Sequence, residues 1–160
     1  MKLLLTAPLA LSLTLASSPA NALSCLRPEV LRSYQEAAEA KETYVVVSGV
    51  ISHDVAAVPE ARNADSPRIA FTARLAGASL THDGFTAPFD APVEVTLNCV
   101  SAWCAPLPPQ HASVLAFVQK TEDGYSLDMQ PCQQWLFENP EPEQMVALVD
   151  CHTSGNCSAD

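Results

Sequence analysis

Basic residues are scarce in this chain: 8 Lys and Arg stand against 18 Asp and Glu, a formal net charge of −10. Repulsion from phosphate therefore disfavours nucleic acid and anionic membrane surfaces as partners. A basic protein partner stays open, and acidity for plain solubility is the blander account. The patterns of catalysis and metal binding are also missing. No serine sits in a G-x-S-x-G elbow, so the His-Asp pairs at His53-Asp54 and His82-Asp83 lack a nucleophile. The four histidines, His53, His82, His111 and His152, have neither C-x-x-C nor H-x-x-x-H spacing around them. They are expected as solvent-exposed loop residues rather than zinc ligands. The expectation is a non-enzyme with no cofactor and no metal. The chain also has no internal repeat and no low-complexity segment.

What is present begins with a leader. Met1-Lys2, the apolar run Leu3–Ala16 and the small-x-small site Ala20-Asn21-Ala22 read as a secretory signal peptide, residues 1–22, cut before Leu23. The Ser/Pro break at 17–19 leaves the run short of the roughly 20 apolar residues of a membrane anchor, so no membrane insertion is expected after cleavage. A lipid-modified Cys25 is the alternative, but Ala22-Leu23-Ser24-Cys25 makes a poor lipobox. The mature chain from Leu23 then carries 7 basic and 18 acidic residues, net −11, and has the length of one domain. It is expected to be secreted or periplasmic, and a monomer.

All six cysteines (Cys25, Cys99, Cys104, Cys132, Cys151, Cys157) lie behind the leader. An even count there implies three disulfides made in an oxidising compartment. Spacing alone leaves all 15 pairings open. The chain is long enough for a true core, so bridges would reinforce the fold rather than replace a core.

The stretch from Thr96 to Cys132 organises the rest. It holds three cysteines, a Cys- and Pro-rich loop, an apolar strand at Ser113–Lys120, a turn at Glu122-Asp123-Gly124 and a strand at Tyr125–Gln130. Upstream, Pro28–Lys41 is expected to be a helix, with Val30, Leu31, Tyr34, Ala37 and Ala38 on one face. Tyr44–Ser52 is apolar on both sides at its start and should be a central strand, with a bulge or bend at Gly49. Residues 53–67 read as a surface loop. Arg68–Ala76 alternates, with Ile69, Phe71, Ala73 and Leu75 inward, and Ala78–Thr81 is a candidate extension of that strand past Gly77. His82–Phe85 should reverse the chain. Pro92–Asn98 alternates again, with Val93, Val95 and Leu97 inward. Glu141–Val149 is expected to be a second helix, followed by a disulfide-clipped tail from Cys151. The sum is mainly β: a five-stranded, OB-like closed antiparallel barrel with an N-terminal helix and a short C-terminal helix.

In this arrangement the chain resembles the netrin-like module, the OB-fold shared with the inhibitory domain of tissue inhibitors of metalloproteinases. The resemblance covers about Ser24 to Phe137. It rests on a cysteine at the mature amino terminus, a helix, the V-x-x-G-x-V strand Val46-Val47-Ser48-Gly49-Val50, the aliphatic strand Arg68–Leu75, and a strand ending in Cys99. The apolar strand Ser113–Gln119 and the run from Gly124-Tyr125 to Cys132 complete it. The opening Ser24-Cys25-Leu26-Arg27-Pro28 is also similar to that of small bacterial secreted proteins. The resemblance implies a barrel over residues 23–137, and the residues beyond it read as a helical, disulfide-clipped extension at 138–160. It also implies a Cys25–Cys132 bridge. Beside it, Cys99–Cys104 is expected to clip the loop at Trp103, and Cys151–Cys157 the tail.

The inhibitor family chelates its target's zinc through a terminal cysteine. Here that position is Leu23, so zinc-chelating inhibition is not carried over. The expected function is a secreted or periplasmic non-catalytic domain that binds an extracytoplasmic protein. Inhibition of an extracytoplasmic protease is the alternative. The candidate binding surface is Leu23, Ser24, Trp103 and Pro106. For Trp103 the expectation leans towards capping one end of the barrel, since Trp is usually well buried.

Overall fold

The computed structural model of the chain describes residue 25 and residues 28–58, 68–101, 103–108, 110–132 and 134–157. Leu23 and Ser24 of the candidate binding surface lie outside them, as do residues 59–67 of the expected loop. The described chain is mainly β, with seven strands in a mixed sheet and two helices.

Helix α1 is Val30–Glu39, shorter than Pro28–Lys41, because Pro28 precedes the N-cap Glu29. Its buried positions are Val30, Ser33 and Ala37, one stripe at helical spacing, so small Ser33 faces inward and Ala38 is turned out. Strand β1 (Tyr44–His53) is central, as its two-sided apolar pattern predicts: it pairs with β2 (Arg68–Thr81) on one side and β5 (Ala112–Lys120) on the other. No bulge occurs at Gly49. The β1–β2 register runs through it unbroken, with Gly49 opposite Gly77, and the irregularity falls at Ser79/Leu80 instead. The two glycines are there because the backbones nearly touch. A Cβ on Gly49 would collide with the Ala76 carbonyl, and one on Gly77 with that of Ser48.

In β2, Ile69, Phe71, Ala73 and Leu75 are buried, with Arg68, Ala70, Thr72 and Arg74 exposed and Ala76 half-buried, close to the predicted alternation. Strand β3 is Gly84–Val100, more than twice the length of the expected Pro92–Asn98. Its first half carries Pro88 and Pro92, which break the sequence pattern. They are tolerated because that half pairs with β2 alone, so N–H groups on the other edge have no ladder to join. A two-residue strand, β4 (Trp103–Cys104), folds back on the end of β3. Strand β6 (Tyr125–Met129) pairs with β5 and, in parallel, with β3. A purely antiparallel sheet is thus corrected: β3 and β6 run the same way, a relation between distant segments that no local pattern encodes. β7 (Leu136–Glu138), too short to read from sequence, pairs with β5. The pairings β1–β2–β3–β6–β5 return to β1, so five strands form a ring.

Two apolar clusters follow from this. The inward residues of the ring, among them Val47, Phe71, Val95, Ala116 and Leu127, make the main one. The second lies outside β1 and β5, where Val46, Leu115 and Phe117 meet Val30 and Ala37 of α1 and Leu148 of α2 (Pro142–Ser154). Strand β5 belongs to both, which is why residues 114–118 are buried on both faces. Helix α2 begins at a capping box between Glu141 and Gln144 and ends at Gly155, whose φ of 75° gives the left-handed C-cap. It runs five residues past the expected Val149, so Cys151 belongs to the helix rather than to a tail.

Three disulfides join Cys25 to Cys132, Cys99 to Cys104 and Cys151 to Cys157. Such bridges fit an oxidising compartment. Among the described residues no helix is long and apolar enough to cross a membrane.

Candidate functional site

The hairpin at the end of β3 sets Trp103 in place. Val100 pairs with Trp103, and Cys99 with Cys104, so the disulfide ties the two strands directly across. Ser101 turns the corner with φ at 55°, a left-handed conformation that non-glycine residues adopt at a cost and that tight hairpins demand. Ala105 N–H then donates to the Asn98 carbonyl at 2.8 Å, and the Asn98 amide donates to the carbonyl of Met129 at 3.1 Å and to the carboxylate of Asp128. The hairpin is thus anchored to the ends of both β3 and β6.

Trp103 does not cap the ring. It is 55% exposed, and its cross-strand partner Val100 is 52% exposed. Directly paired residues point to the same face of a ladder, so the two side chains form one apolar tip. The reason is local: with only two residues in β4, Trp103 has no strand beyond it to fold over. Pro106 is also exposed. The bridge between Cys25 and Cys132 lies at the same end, because β3 and β6 run parallel with Leu97 opposite Met129. Cys132 and Val100 therefore each stand three residues beyond one matched pair. The structure brings Trp103 and Pro106 to the end where the described amino-terminal residue is tied down.

The histidines part company. His82 and His111 are exposed, as expected of loop residues. His53 is instead half-buried in β1: its Nε2 donates to the Pro108 carbonyl at 2.9 Å, and Gln110 donates to its Nδ1 at 3.0 Å. His152 is half-buried in α2, hydrogen-bonded through Nδ1 to the Tyr34 hydroxyl at 2.7 Å. Both fasten elements together, a use of histidine that spacing rules do not detect. Burial also raises the Tyr34 phenol above its ordinary value of 10.0. The Tyr44 phenol is raised by burial first and then by the carboxylates of Glu42 and Asp128. Among the described residues no group of three or more His, Cys, Asp or Glu side chains could hold a metal ion.

Sequence reasoning missed a second feature, an elongated groove over the outer face of β2, β3 and β6. One lobe, about 490 Å³, includes Thr72, Glu94, Thr96, Ser126 and Asp128 in its lining. The next, about 540 Å³, shares Thr72 and Pro92 with it and continues past Arg74 to His53 and Asp54. Its residues come from segments far apart in sequence, so the only signal available was the polar set of outward positions in β2 and β3.

Compared with known proteins, the chain matches no family model, no curated protein and no solved structure.

Proposed function

We propose that the chain is an extracytoplasmic, non-catalytic domain that docks another protein through the Trp103 hairpin. The observation that carries this is an exposed Trp–Val pair on a hairpin held by a disulfide. Large aromatic anchors on rigid supports contribute much of the binding energy at protein interfaces, because little conformational entropy is lost when they bury. We read the five-strand ring as an OB-type barrel, which supplies the rigid support. An oxidising compartment, secreted or periplasmic, suits the three bridges.

The test is capture from the extracytoplasmic fraction with immobilised mature protein, comparing Trp103→Ala with Val146→Ala. Val146 is a comparably exposed apolar residue, at 61%, on α2. A hot-spot loss of about 2 kcal/mol, roughly 30-fold in affinity, is expected for Trp103→Ala alone. Equal capture by the two variants would reject the hairpin as the docking site.

A second reading, inhibition of an extracytoplasmic protease, draws support from the Cys25–Cys132 bridge, the pairing implied by the resemblance to metalloproteinase inhibitors. A protease among the captured proteins, inhibited stoichiometrically by the pure domain, would favour it. Zinc metalloproteases should not be inhibited, since Leu23 replaces the chelating cysteine.

A further inference from the structure

The groove on β2, β3 and β6 has a chemistry of its own. In the first lobe Glu94 lies opposite Thr72 on β2 and opposite Ser126 on β6. Thr96 is two residues on and so lines the same face. Both arginines that line the groove among the described residues are engaged: Arg68 lies 3.7 Å from Asp128, and Arg74 lies 2.6 Å from Asp90. Glu94 has no ion-pair partner among the described residues.

Thr96 supplies an independent sign of a ligand. The residue is only 7% exposed, yet no described residue hydrogen-bonds its hydroxyl. Every fully buried polar side-chain atom among the described residues has a partner, so this hydroxyl is open to the cavity that it lines. A hydroxyl oxygen uncommitted within the protein and open to the groove, on an otherwise buried residue beside an unpaired carboxylate, suits a donor that carries positive charge.

We propose that the groove receives an extended, basic segment of a partner protein, with one lysine ammonium held by Glu94 and Thr96. An ammonium has three donors and no acceptor; one carboxylate and flanking hydroxyls match it, whereas a guanidinium fork wants planar, bidentate partners. Anionic ligands are opposed by the rim carboxylates and by the chain's net charge of −10. A sugar would look for an open aromatic ring, but the Tyr125 ring packs edge-on against Phe89, centroids 4.9 Å apart. Two lobes in a row suit an extended chain rather than a single small cation. The proposal shares with the reading above only that the partner is a protein, and it uses no residue of the Trp103 hairpin.

The probe is a synthetic hexalysine peptide, titrated calorimetrically into the mature protein, with maltohexaose in parallel. Hexalysine should bind, and Glu94→Gln should weaken it by about tenfold or more, the loss of a charge-assisted hydrogen bond. Thr96→Val, close in volume, should also weaken it. Glu36→Gln removes the same charge from the exposed face of α1 and should change affinity by less than about twofold. Trp103→Ala should leave hexalysine binding intact, so that failure here and failure of the hairpin reading are told apart. Absence of hexalysine binding, equal losses from Glu94→Gln and Glu36→Gln, or binding of maltohexaose in its place would each overturn the proposal.

Discussion

The outside of the five-strand ring has two unlike halves. Over β1 and β5 the outward side chains are Val46, Leu115 and Phe117, and α1 and α2 lie on top of them with Trp135 and Phe137 filling in. Over β2, β3 and β6 the outward side chains are Thr72, Glu94, Ser126 and Asp128, and among the described residues no helix covers them. Both halves share one inner cluster, so the inward alternation is the same in each. The difference lies in what the other face needs. Apolar outward residues are stable only under a lid, each contributing about 1.5–3 kcal/mol when buried. Polar outward residues are satisfied by water and stay free to meet something else. The covered half holds the fold together, and the open half, with the Trp103 tip at its end, is where this account places binding.

The bridges allow the sharpest test of that division. Cys151–Cys157 belongs to the helical lid, whereas Cys25–Cys132 straps the chain's start to the end beside the Trp103 hairpin. The long bridge spans 107 residues and the short one 6. Chain entropy gives about 4–5 kcal/mol for the former and roughly 2 for the latter. Replacing Cys25 and Cys132 together by Ser should therefore lower the melting temperature far more than replacing Cys151 and Cys157. Non-reducing peptide mapping gives the pairs directly, and a Cys25–Cys99 or Cys25–Cys104 peptide would move the strap to the hairpin itself.

A middling effect is expected at the seam between the halves. Gly49→Ala places a Cβ against the Ala76 carbonyl where β1 passes to β2. Backbone cannot yield as a side-chain tip can, so a loss of about 1–3 kcal/mol should appear in urea unfolding. Wild-type stability in that variant would mean that the strands do not approach so closely.

The smallest effect concerns pH and comes mainly from burial in the covered half. Tyr34 and Tyr44 are both raised above 10.0, so the folded state holds their protons more tightly than the unfolded one. The stability this contributes is full below pH 10.0 and is lost as pH rises through the folded values. Melting temperature should decline above that point, and Tyr44→Phe should make the decline shallower.

The covered half was the more legible in sequence. Two-sided apolar runs at Val45–Val47 and Val114–Val118 announce strands buried on both faces, and the stripe in α1 shows what lies over them. Alternation in Arg68–Ala76 likewise gave the right inward residues. The early part of β3 was hidden by Pro88 and Pro92, whose tolerance depends on a free edge that only the topology reveals. The parallel β3–β6 pairing and the three-residue β7 depend on partners distant along the chain. Only the capping role of Trp103 fails, because burial statistics describe an average Trp, not one at the tip of a two-residue strand. The groove was invisible for a similar reason: Thr72, Glu94 and Ser126 are ordinary surface residues until the register sets them side by side.

On the proposed reading, the open half is kept for a partner and the covered half for the fold. Its most direct test is the unfolding free energy of one variant carrying Thr72→Ala, Glu94→Gln and Trp103→Ala, measured beside Phe117→Ala. The triple variant should stay within about 1 kcal/mol of wild type, as scattered surface changes do. Phe117→Ala, emptying a site beneath both helices, should lose about 3–5 kcal/mol. A triple variant as damaged as Phe117→Ala would contradict it, because those side chains would then be serving the fold.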